Sequence, residues 1–145
     1  MRTFSLILLL FLVSQNCFSN LGSSVWYEDG YYYSQSSAKI EGDAKLYSRI
    51  ARNKADLKAN HSLVKFFINE NLFIDKNLTH IEDDIKNLAF SEILKSELKL
   101  NGLEIERIFN QNSNVCITVK ISKVNLVKQL GGKIKEFEAQ LNSHF

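Results

Sequence analysis

The sequence predicts an α+β domain, a small antiparallel-rich sheet of three to four strands packed against two to three helices, behind a signal peptide. Three observations carry this. Val115, Ile117, Val119 and Ile121 alternate with other residues at period two, as a strand with one buried face requires. Two long stretches, beginning near Asp43 and near Val127, repeat apolar residues at three and four, as helices do. Asp29-Gly30 and the Asn-rich residues 110–114 supply turns between strands. Proline is absent, so glycine and asparagine do the punctuating.

With 145 residues the chain has room for one ordinary domain. Its 18 basic and 16 acidic side chains give no clustered basic face, which argues against nucleic acid as a partner.

Arg2, an apolar run over residues 6–13 and small polar residues at its exit have the pattern of a secretory leader. The run is about half of the roughly 20 residues needed to span a bilayer. Cys17 and Ser19 suit the positions before a cut, so cleavage is expected after Ser19, giving a leader of residues 1–19 and a domain of residues 20–145. A second possibility is lipidation of Cys17, the only route to membrane attachment that the sequence offers. Ser14, Gln15 and Asn16 precede it, and Asn16 is large for the position next to a lipoprotein cut. Cleavage after Ser19 leaves Cys116 as the only cysteine of the mature chain, expected to be a partly covered structural thiol without an internal partner, with an intermolecular disulfide as the alternative.

After the leader, residues 25–30 run into a turn and a Tyr-rich strand over residues 31–37. Asp43 is a candidate N-cap for the longest helix, with Leu46, Ile50, Asn53, Leu57, Val64 and Phe67 on one face, expected to be buried against a layer, and Ala44, Ala51, Ala55 and Ala59 beside it to permit close approach. A short strand is expected near residues 72–74. Thr79 is a candidate cap for a second helix with an acidic first turn, running to about Ser96. Alternation out of phase around Gly102 suggests a bulge or bend before the strand over residues 115–121. The terminal helix carries Val127, Leu130, Ile134, Phe137 and Leu141, and Gly131-Gly132 in it suggest a kink or close packing. The predicted order is β-α-β-α-β-β-α.

Chemistry is sparse. His80, Asp83 and Asp84 have helical spacing that would suit a metal, but an acidic first turn explains them as well and no second ligand pair is visible. No phosphate loop, His-Glu-x-x-His pair or nucleophile elbow occurs, so no catalytic residue, cofactor or metal is assigned and the chain is expected not to be an enzyme. The concentrated aromatics Trp26, Tyr27, Tyr31, Tyr32 and Tyr33 are the most distinctive feature. Trp26, Tyr27, Tyr31 and Tyr33, together with Phe137 of the terminal stripe, are the candidate protein-contact residues.

Trp26-Tyr27 before a Tyr-rich strand, Gly42-Asp43 opening an Ala-rich helix, the Gly102 segment and the strand over residues 115–121 followed by a helix resemble the bacterial twenty-kilodalton envelope lipoprotein family. That family looks related to a flagellar outer-membrane lipoprotein and to the N-terminal domain of flagellar assembly protein T. The resemblance implies a non-catalytic structural or assembly component of the periplasm or outer membrane, with envelope proteins, flagellar proteins or its own copies as partners. It transfers no catalytic residue. The different-class alternative is a small periplasmic binding protein that holds an apolar or anionic ligand between sheet and helices. A deep apolar pocket would favour that alternative, and a filled core with exposed apolar residues would favour assembly.

Overall fold

Residues 17, 24–95 and 99–144 are described by a computed structural model. The expected leader lies outside the described residues except for Cys17. The chain forms β1 (Ser24–Glu28), β2 (Tyr31–Lys39), α1 (Lys45–Asn71), a 3-10 helix (Lys76–Ile81), α2 (Glu82–Ile93), β3 (Glu104–Gln111), β4 (Asn114–Ser122) and α3 (Lys123–His144). The strands make one sheet in the order β1-β2-β4-β3, with every neighbouring pair antiparallel. The α+β class with four strands and three α-helices is therefore as the sequence predicts.

Each hairpin turn is local chemistry. Asp29 (φ 50°) and Gly30 (φ 83°) join β1 to β2, and Asn112 (φ 50°) and Ser113 (φ 63°) join β3 to β4. Two consecutive residues at positive φ twist the chain in the sense a tight antiparallel hairpin needs, and Asp, Asn and Gly tolerate that region best. β1 is an addition to the predicted order, since residues 24–28 pair with β2 rather than leading into it. The strand expected at residues 72–74 is absent, because α1 continues to Asn71 and the chain then runs irregularly to Asp75. The irregularity expected around Gly102 falls at Ile105/Arg107, where the β3–β4 register shifts.

Alternation sorts the two central strands. Val115, Ile117, Val119 and Ile121 of β4 pair with Ala38, Ser36, Ser34 and Tyr32 of β2 and point to the helical layer. Cys116, Thr118 and Lys120, with Ser37, Gln35 and Tyr33 as their partners, point to the other side. The first half of α1 packs on β2 and buries Ala51, Ala55 and Ala59, and the helical side of β2 carries the buried Ser34, Ser36 and Ala38. Small side chains on both surfaces let helix and sheet approach closely, and that selects the alanine stripe as the sheet-facing one. The second half of α1 buries Leu63, Val64, Phe67 and Ile68 among Ile85, Ala89 and Ile93 of α2 and Leu126, Leu130, Ile134 and Phe137 of α3.

The helix ends differ from expectation. α1 starts at Lys45 with Ala44 at the N-cap and no side-chain cap, so Asp43 does not serve. Asp75 caps the 3-10 helix by accepting the Asn77 N–H at 3.0 Å, while the Thr79 hydroxyl donates to the Lys76 carbonyl. Glu82, Asp83 and Asp84 do occupy the first turn of α2, where the helix dipole favours them.

Residues 99–103 are fastened at both sides. Asn60 is buried in α1 and its Oδ1 accepts the Leu100 N–H at 3.2 Å. On the α3 side the Gln129 amide accepts the Asn101 N–H at 2.8 Å and donates to the Asn101 carbonyl at 2.6 Å, and Asn125 donates to the same carbonyl at 3.1 Å. Gly102, at φ 76°, lies against the Asn125 amide with no room for a Cβ.

Candidate protein-contact surfaces

One long stripe of α1 behaves differently along its length. Leu46, Ile50, Asn53, Leu57, Asn60, Val64 and Phe67 recur at alternating spacings of four and three, the pattern of a helix–helix seam. From Asn60 onward the seam is buried, first beneath Leu100 and then within the core shared with α2 and α3. Before Asn60 it is open. Leu46 is 60% exposed, Ile50 39% and Leu57 54%, on the side of the helix opposite the alanines. The expectation that this whole face is buried is therefore corrected for its first three turns.

Where the seam passes from open to covered there is a cleft of about 470 Å³, lined by Asn53, Asp56, Leu57, Asn60, His61, Lys99 and Leu103. The His61 ring stands edge-on to Phe90 at 6.1 Å. Leu103 leads into β3, whose Ile105 and Ile108 pair with Val119 and Ile117, share their helical side of the sheet and are 48% and 38% exposed. Open apolar residues thus extend from α1 through the cleft to the edge strand. Polar residue types ring this cleft but its exposed lining is mainly apolar, and the space between sheet and helices is filled by buried side chains.

The aromatic cluster divides between two faces. Trp26 and Tyr33 stack nearly parallel, 4° apart with centroids at 5.4 Å, on the side of the sheet away from the helices. Tyr31 is on that side too, with the Lys120 ammonium 5.2 Å from its ring centre, and Arg107 lies 4.6 Å from the centre of Phe109. Lys120 also pairs with Glu106 at 3.1 Å, and the hydrogen bond and charge of Glu106 hold its pKa above the ordinary value. Tyr27 points to the helical side, where it tilts against Tyr32 at 5.0 Å. Burial first, then Tyr27 and Glu70, push the Tyr32 phenol upward. Both shifts are upward from values already above the physiological range, so Lys120 stays charged and Tyr32 stays neutral there.

Phe137 is 7% exposed and lies in the core of α3, so it offers no contact surface. His80 falls in the 3-10 helix rather than on α2 with Asp83 and Asp84, which removes the regular helical spacing on which a metal reading relied. Among the described residues no group of three or more His, Cys, Asp or Glu side chains is placed to hold a metal. No described helix is long and apolar enough to cross a membrane.

Cys116 is 1% exposed and is disulfide-bonded to Cys17, with the two Cα atoms 6.0 Å apart. This corrects the expectation of a thiol without an internal partner. The expected cut after Ser19, which would remove Cys17, is what hid the pairing across 99 residues.

No protein-family model, curated protein or solved structure matches the chain.

Proposed function

We propose that this chain is an exported envelope protein that acts without catalysis, by seating an amphipathic helix of another envelope protein on the open half of the α1 seam. The single observation that carries the reading is that this seam is buried from Asn60 onward, beginning where Leu100 crosses it, while Leu46, Ile50 and Leu57 are exposed in the same register. From Leu46 to Leu57 the open part is about 16 Å long at 1.5 Å per residue, enough for three turns of a partner helix. A seam spaced four and three accepts a helix better than a flat surface, because each side chain enters a gap between residues of the facing helix. Asn53 within it would fix the partner's register through its amide, at some cost in affinity.

Export is supported by the leader-like first residues and by the cysteine pair, which belongs to oxidising compartments. The envelope, and the flagellum as one place within it, comes from the family resemblance. The alternative, a small binding protein that holds an apolar or anionic ligand between sheet and helices, lacks the deep pocket it needs there, since buried side chains fill that space and the cleft opens beside the seam.

The test is affinity purification after crosslinking in envelopes of the native host, comparing wild type with Ile50→Glu and Leu57→Glu. Loss of the same crosslinked protein from both variants, with unchanged circular dichroism and melting temperature, is the expected result. Folded variants that retain the wild-type set of crosslinked proteins would reject the surface, and crosslinks to the chain itself alone would replace a foreign helix with a second copy.

A further inference from the structure

We propose that Cys17 stays on the mature exported protein as the disulfide partner of Cys116, so that it is neither removed with the leader by a cut after Ser19 nor capped by a lipid. The proposal rests on the export reading above and adds to it a modification site and a limit on processing. Two observations carry it. Cys17 is held at two points, through its sulfur to Cys116 and through its backbone N–H, which donates to Gln111 Oε1 at 3.0 Å. These partners lie on β4 and β3, so residue 17 is anchored to the folded sheet. In addition, Cys116, Thr118 and Gln35 are all buried although they point away from the helical layer, and the Gln35 amide donates to the Thr118 hydroxyl at 3.2 Å within that buried patch. The non-helical face of the sheet is thus covered at its centre, where Cys17 is bonded.

The chemistry at the sulfur is exclusive. A disulfide uses the same Cys17 sulfur that a lipoprotein transferase would alkylate to a thioether, so one chain cannot carry both. Forming the bond removes two protons and two electrons from the thiol pair. An oxidised dithiol–disulfide oxidoreductase of the export compartment accepts the electrons: one protein thiolate opens its disulfide to a mixed disulfide, the other displaces it, and the oxidoreductase leaves as a dithiol.

The experiment uses the protein purified from the native host after free thiols are blocked with N-ethylmaleimide, followed by intact mass with and without reduction and mapping of the N-terminal peptide. The expected result is an N-terminus at or before Cys17, no maleimide adduct, no acyl mass, and a gain of two hydrogens on reduction. An exported chain that begins after Cys17, or one with a diacylglyceryl group on Cys17, would overturn the proposal while leaving export intact. A chain in the cytosol that starts at Met1 and carries two maleimides would overturn the proposal and the export reading together.

Discussion

Ser34 lies on the side of β2 that faces α1, wholly buried, and its hydroxyl has no hydrogen-bond partner among the described groups. A buried hydroxyl that gives up water without a replacement costs about 1–3 kcal/mol. Its small size is what the close helix–sheet contact needs, and alanine has nearly the same size without the polar atom. Ser34→Ala is therefore expected to stabilise the fold by about 1 kcal/mol, read as a higher denaturation midpoint at unchanged slope. A lower midpoint would show that the hydroxyl is satisfied in solution.

At the scale of elements, α3 keeps Gly131 and Gly132 in its interior, and a Cβ at either would meet nothing closer than Val127 Cγ1 at 3.6 Å. They mark neither a kink demanded by sterics nor a close contact. Gly131→Ala and Gly132→Ala should each stabilise by roughly 0.5–1 kcal/mol through helix propensity, measured by chemical denaturation. On the same physical footing, Ile117→Ala in β4 should cost about 2–4 kcal/mol, whereas Leu57→Ala, half exposed, should cost less than about 1 kcal/mol. Comparable losses at both sites would put the α1 seam back into the core. The β2 and β4 strands, the Asp29-Gly30 turn and the α3 stripe were legible in the sequence because their periods and turn residues are local. The inward face of α1 was not. Two stripes share its helical period, the leucine stripe has the stronger hydropathy, and the choice of the alanines is made by Ser34 and Ser36 on a different element. β1 was missed for a related reason, since five residues before a turn become a strand only by pairing with β2.

For the whole molecule, the disulfide joins the two cysteines across a separation of 99 residues, and loops of that size lose much unfolded-state entropy when closed. Reduction is expected to lower the stability of a chain that retains Cys17 by about 2–5 kcal/mol, measured by denaturation with and without reductant. No change in midpoint would mean that the bond does not form in solution. The candidate surface was only half legible. Alternation along β1 and β2 separates Trp26, Tyr31 and Tyr33 from Tyr27, and the spacing of α1 reveals its seam, but how far α2 and α3 cover that seam depends on where the intervening chain returns. Residues 99–103 decide it by crossing at Asn60, through a hydrogen bond that no sequence pattern announces.

The central claim is that the open seam meets a partner helix, and site-specific photo-crosslinking in native envelopes tests it most directly. A photoreactive residue at Ile50 or Leu57 is compared with one at Leu88, an exposed leucine on α2 outside the seam. One shared protein adduct from positions 50 and 57, and none of that species from position 88, is the expected result. The same adduct from position 88, or no adduct from either seam position in a folded protein, would contradict it.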